Sequence, residues 1–187
     1  CGVLSCDTSD KAARFIRFCD SFSIPIISFT DTPGYMPGKE EEYKGIIRHG
    51  AKLLYAFAEA SVPKGNIIIR KAFGGAYIAM NSKHLGAEEV FAWPTAEVAV
   101  MGAKSAVSLL YGKKIKEMPK DQAKEFYDEK VQEYTQMASD LKFGLEQGYI
   151  DHVIYPEETR KALSDWLRTS SHANRIGMRK KHGDIPL

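Results

Sequence analysis

Arg70-Lys71-Ala72-Phe73-Gly74-Gly75-Ala76-Tyr77-Ile78-Ala79-Met80 carries the chain from an apolar run, Ile67-Ile68-Ile69, through a glycine pair into an apolar, helix-compatible segment. A continuous apolar run reads as a strand buried on both faces, as strands of a parallel sheet are. The glycine pair then marks a strand-to-helix turn at which the backbone is open to close approach. The first N–H groups of a helix have no partner within it, and the macrodipole adds positive potential there. An anion or a polarised carbonyl can dock at such a place. Taken alone, the pair is equally compatible with a purely structural turn.

Working outward, strands and helices alternate. Thr8, Ser9 and Asp10 are cap candidates for a first helix carrying Ala12, Phe15, Ile16, Cys19 and Phe22 at helical spacing. Residues 24–29 give a short strand, and 31–38 (Asp-Thr-Pro-Gly-Tyr-Met-Pro-Gly) a turn-rich loop. A second helix is predicted over 39–60, with Ile47, Ala51, Leu54 and Ala58 on one face and Pro63 beyond its end. The central strand covers 65–70, and short strands lie near 90–92 and 98–100 around the turn Trp93-Pro94-Thr95. Met101-Gly102-Ala103 repeats the strand-to-helix turn and opens a helix to Tyr111. A long helix runs from Met118-Pro119 to Gly148, with Tyr127, Val131, Tyr134, Ala138, Leu141 and Leu145 as a stripe suited to a core or a subunit interface. A short strand over 149–154 and a helix from Pro156, with Leu163, Trp166 and Leu167 inward, complete the order. This alternation predicts an α/β domain with a largely parallel sheet.

The 187 residues, 44% of them hydrophobic, suffice for a single core. Basic and acidic residues number 26 and 24, and the basic ones are dispersed outside Arg179-Lys180-Lys181-His182, which argues against nucleic acid as a partner. No apolar run approaches the roughly 20 residues of a membrane span. These features predict a soluble, cytoplasmic protein, or one of the mitochondrial matrix in a eukaryote. The start at Cys1-Gly2-Val3-Leu4 reads as already inside a strand, which suggests a fragment of a longer protein.

The three cysteines form no CxxC pair and the five histidines show no HxxxH spacing, so neither a disulfide framework nor a metal site is predicted. His49 beside the second helix reads as a hydrogen-bonded structural histidine. Ser82 or Ser105 with His84 or His49 would allow a serine hydrolase, but no GxSxG elbow occurs. A Gly-Lys-Ser/Thr phosphate loop is also missing; Gly102-Ala103-Lys104-Ser105 lacks the upstream glycine. What remains is an electrostatic device: backbone donors at Gly75 and Ala76, suited to holding an enolate-like oxygen.

Longer motifs sharpen that device. Residues 29–38 (FTDTPGYMPG), 42–56 (EYKGIIRHGAKLLYA), 70–80, 82–86 (SKHLG), 92–97 (AWPTAE), 100–104 (VMGAK) and 181–187 (KHGDIPL) together resemble the carboxyltransferase subunit of biotin-dependent acyl-CoA carboxylases, of the propionyl-CoA carboxylase β type. The resemblance implies the crotonase-like (ClpP/crotonase) fold, a ββα superhelix. It makes 1–187 the C-terminal, biotin-side domain, with 171–187 as a surface tail. It implies that biotin rides on a separate carrier protein or domain, and that an N-terminal half, on the same or another chain, holds the acyl-CoA across an interface of a dimer or hexamer. Gly75 and Ala76 would donate N–H groups to the ureido oxygen as carboxybiotin exchanges CO₂ with a short-chain acyl-CoA. Gly74, Tyr77 and Ile78 would complete the biotin-binding turn. Family members of the propionyl type often carry Asp after Gly-Gly-Ala-Tyr, where this chain has Ile78, so the acyl group stays open. Methylmalonyl-CoA transcarboxylases and sodium-pumping decarboxylases share these motifs, and a non-catalytic carrier-docking and dimerisation module is the remaining alternative.

Overall fold

In the computed structural model, residues 2–170 and 183–186 are described. The first helix, α1 (Cys6–Ser21), begins a turn earlier than Thr8-Ser9-Asp10 suggests. Ser5 is the cap, accepting from Thr8 N while its own N–H donates to Thr8 Oγ1 at 2.7 Å. That earlier start fixes which face is inward: Cys6, Ser9, Ala13, Ile16 and Cys19 are buried, whereas Phe15 and Phe22 are exposed.

Strand β1 (Ile26–Thr32) follows Pro25 and leads into the proline-rich loop. The single helix predicted over 39–60 is two, α2 (Lys39–Lys44) and α3 (Ile46–Glu59). Gly45 between them has φ +87°, a left-handed conformation that glycine adopts without a Cβ penalty. The break resets the helical phase. Ile46, Gly50, Leu53 and Phe57 therefore face the core, and Ile47, expected inward, is 78% exposed.

Strand β2 (Lys64–Phe73) is the spine of the five-stranded sheet. It pairs with β1 on one side, and on the other with β3 (Glu89–Ala92) along its first half and β4 (Glu97–Ala99) along its second. A two-residue strand, β5 (His152–Val153), extends the sheet beyond β3, and all these pairings are parallel. The register slips between Thr30 and Thr32, so Asp31 is turned out of the ladder and its carboxylate accepts from Lys71 N at 3.1 Å.

The apolar run is covered from both sides, as its composition requires. Ile67 packs with Phe91 and with Trp166 of α8 (Thr159–Thr169), while Ile68 packs with Tyr77, Val90 and Ile150 on the opposite face. Gly65 admits the Trp166 ring, since a Cβ there would stand 2.7 Å from it. Leu167 is half-exposed rather than inward.

Helix α4 (Gly74–Ala79) follows β2 directly, and α5 (Ala103–Glu117) follows β4. The long helix expected to Gly148 stops as α6 (Lys120–Ser139) and resumes as the short α7 (Lys142–Glu146). Asp140 causes the break: its Oδ1 accepts from Lys142 N at 3.0 Å, a local side-chain bond that competes with helical continuation. Of the predicted tail, Asp184 N donates to Tyr55 Oη at 2.7 Å on α3. His172 and the basic cluster 179–182 lie outside the described residues.

Candidate functional site

The glycine turn is built by two constraints on one residue. Gly74 has φ +58°, and a Cβ added there would meet the Val100 carbonyl oxygen at 2.8 Å. The residue before α4 is Phe73, extended and without a side-chain acceptor, so no side chain caps the helix. The N–H groups of Gly74, Gly75 and Ala76 precede any that an intrahelical bond serves. The second turn abuts the first, since a Cβ on Gly102 would touch the Phe73 ring at 3.5 Å.

Gly75 differs from Gly74. It is exposed, has an ordinary φ, and a Cβ on it would meet nothing within 4 Å. Among the described residues nothing therefore requires glycine at 75, and the backbone there is open to close approach.

A cavity of about 780 Å³ opens beside this turn. Gly74, Gly75, Tyr77 and Ile78 line it, so four of the five residues singled out in the sequence share one wall; Ala76 is buried and does not line it. Val98, Ala99 and Val100 extend that wall through β4. The opposite wall is Tyr134, Met137 and Leu141, from α6 and the break after it. Tyr134 and Leu141 belong to the stripe read as core or interface, and their half-buried state reflects a helix spanning a cavity. His84, Asp140, Phe143, Gly144, Tyr149 and Ile150 complete the lining, with the ring centroids of His84 and Tyr149 5.0 Å apart. His84 was weighed in the sequence only as a base for a serine and Tyr149 not at all; the fold brings both to the turn.

Tyr77 is 7% exposed, and its hydroxyl has no hydrogen-bond partner among the described residues. Burial pushes its pKa up to about 12, so the hydroxyl stays a neutral donor. The cavity lining is mostly apolar, with His84, Tyr134, Asp140 and Tyr149 as its further polar side chains, a composition usual for a small-molecule site.

The hydrolase arrangement does not form. Ser82 is buried and its Oγ donates to Ile78 O at 3.1 Å, while Ser105 is exposed. His49 Nδ1 is joined to Asp10 Oδ1 at 2.9 Å, tying α3 to α1. Among the described residues, neither His84 nor His49 is bonded to a serine, and no three His, Cys, Asp or Glu side chains are placed to hold a metal ion.

Residues 1–185 match the model of the carboxyl transferase domain. The chain is 50% identical, over all its length, to the propionyl-CoA carboxylase carboxyltransferase subunit of Haloferax mediterranei, of which it covers 36%. It is 46% identical to the methylmalonyl-CoA decarboxylase subunit alpha of Veillonella parvula, covering 35% of that protein. The crystal structure of the transcarboxylase 12S hexamer with methylmalonyl-CoA and methylmalonic acid bound superposes with a TM-score of 0.91 at 44% identity, over 99% of this chain and 35% of that one. The fold is accordingly crotonase-like, an α/β domain on a parallel sheet. The chain belongs to the carboxyl transferase family. It spans about a third of the length of these relatives, 36% of the first.

Proposed function

We propose that this chain supplies the biotin-facing half of a carboxyltransferase site that moves a carboxyl group between biotin and a short-chain acyl-CoA, propionyl- or acetyl-CoA. The observation that carries this reading is Gly75: a glycine that the fold does not require, at the open start of an uncapped helix, beside an apolar cavity. The biotin, held on a separate carrier protein or domain, supplies when bound a ureido nitrogen able to carry and release the carboxyl group.

The chain's own residues do the rest. The Gly75 and Ala76 N–H groups hold the ureido oxygen and stabilise the negative charge that grows there; one donor of this kind is worth about 3 kcal/mol of transition-state stabilisation. Gly74 makes the turn from β2 into α4 possible by its left-handed φ, close to Val100 O where a Cβ would not fit. Tyr77 forms part of the same wall with its hydroxyl buried, and Ile78 adds an apolar branch where an acidic residue would add a charge. Leu141, Met137 and Val100 give the cavity apolar surface beside those donors. The site needs no side-chain base.

The acyl-CoA half, in this reading, is provided by a further carboxyltransferase domain across an interface in a dimer or hexamer. The enzyme would act in the cytoplasm, or in the mitochondrial matrix of a eukaryote. Relatives named as carboxylase, decarboxylase and transcarboxylase fall at similar identities, which supports the transfer step they would share and leaves the direction of net reaction open.

The test is carboxyl transfer run in reverse. The carboxyltransferase assembled with this chain is given methylmalonyl- or malonyl-CoA and free biotin, and loss of the carboxyl group from the thioester is followed. Transfer that saturates with biotin is expected. Biotin binding with no transfer from either thioester would favour the docking-module alternative and overturn the proposal.

A further inference from the structure

Beneath the far end of α4 lies a buried polar knot. Thr30, Asn66 and Asn81 are fully buried and Ser28 nearly so. Asn66 Oδ1 accepts from Thr30 Oγ1 at 2.8 Å and from Ser28 Oγ at 3.0 Å. The same two hydroxyls stand 3.4 Å from the carbonyl oxygen of Met80, the residue that ends α4. Asn81, next in the chain, holds φ +62°, and its Nδ2 donates to Gly65 O at 3.0 Å. Two strands of the sheet thereby grip the end of the helix.

The Asn66 amide is held by two hydroxyls and the Asn81 amide by a strand carbonyl, so both are tied to the sheet. What the amides and hydroxyls provide is direction, because hydrogen bonds fix orientation where apolar contacts do not. Direction matters here: a six-residue helix cannot hold itself. From Ala76 and Gly75 to Met80 the axis runs about 7 Å, so a tilt of about 8° at the anchored end moves the donors by about 1 Å. A displacement of that size in a reacting geometry is worth about 100-fold in rate.

We propose that Ser28, Thr30, Asn66 and Asn81 form a positioning network that sets the aim of the Gly75 and Ala76 N–H groups. It rests on the reading that those groups hold the oxygen of the transferring cofactor. The network touches no substrate and acts only through α4.

The assembled carboxyltransferase tests it with two variants. Thr30→Val deletes the hydroxyl at nearly constant shape, and Thr30→Ser restores it. In Thr30→Val, kcat should fall about 10- to 100-fold with KM for the acyl-CoA unchanged, and amide hydrogen exchange across residues 74–80 should quicken about tenfold while that of α8 stays the same. Thr30→Ser should remain within about threefold of the parent in both readouts. Unchanged exchange across 74–80, faster exchange with unchanged kcat, or an equal loss in Thr30→Ser would each overturn the proposal. Should Thr30→Val fail to fold, Asn81→Gly, which keeps the left-handed backbone and deletes the amide, carries the same two measurements. Full turnover in a Gly75→Pro enzyme would instead overturn the site reading beneath it.

Discussion

Replacing Gly74 and Gly75 by alanine, one at a time, separates the needs of the fold from those of the chemistry. At Gly74 alanine must adopt φ +58°, which costs about 1–2 kcal/mol. Its Cβ also falls 2.8 Å from the Val100 oxygen, a backbone atom that can yield only if β4 shifts, and overpacking of this kind costs about 1–3 kcal/mol. The sum, about 2–5 kcal/mol, corresponds to a fall in Tm on the order of 10 °C for a domain of this size. At Gly75 neither term arises: a Cβ there has nothing within 4 Å. Alanine should leave stability unchanged or raise it by up to about 1 kcal/mol, because it is the better helix former. Yet the same methyl stands at the cavity where, in the proposed reading, biotin approaches the backbone, and kcat/KM for carboxyl transfer should then fall at least about tenfold, about 1.4 kcal/mol. Calorimetric melting and transfer assays on the two variants of the assembled enzyme give both numbers. Full kcat/KM in Gly75→Ala, or an unshifted Tm in Gly74→Ala, would refute the division of labour between the two glycines.

Three further outcomes follow from buried and charged groups. Lys64 is fully buried and donates to the Phe57 and Leu85 carbonyl oxygens, closing the end of α3, so Lys64→Met should lower stability by about 2–4 kcal/mol in denaturant titration. Tyr77→Phe removes a buried hydroxyl that lacks a protein partner; melting should show stability unchanged or about 1 kcal/mol higher, and a loss beyond 1 kcal/mol would reveal a bond to that hydroxyl. Burial pushes the Asp31 carboxyl up, but hydrogen bonds from the Arg70 guanidinium and Lys71 N–H outweigh it and hold the pKa below the ordinary carboxylate value. A lowered folded pKa gives stability that is present above the unfolded value, about 3.9, and lost as pH falls through the folded one. Tm measured against pH should therefore drop below about pH 4, and Asp31→Asn should flatten that acid limb while lowering Tm at pH 7.

Much of the fold was legible because its signals are local. The run Ile67-Ile68-Ile69 announced a strand covered on both faces, and Ile67 against Trp166 with Ile68 against Tyr77 is that covering. Errors arose where a single residue reset the phase of a helix. Gly45 did so by entering the left-handed region, and Asp140 by bonding Lys142 N, and neither effect is visible in periodicity alone. The turn Gly74-Gly75-Ala76 was equally legible as a turn, and its proposed role came from the resemblance that the longer motifs carry. Its surroundings were not legible: His84, Tyr134 and Tyr149 meet there only after the chain has wound around the sheet. The polar knot of Thr30, Asn66 and Asn81 was hidden for the same reason, since it joins three separate segments through side chains of common type.

The most direct measurement replaces the amide at residue 75 by an ester, installed by peptide ligation, which deletes one N–H and leaves side chains and backbone shape in place. Carboxyl transfer from methylmalonyl- or malonyl-CoA to biotin is then timed in the assembled enzyme. A fall of about 100- to 1,000-fold in kcat, with the melting temperature held, is the predicted result, as for loss of one donor to a developing oxyanion. Undiminished kcat in the ester enzyme would contradict the assignment of Gly75 N–H to the reacting oxygen.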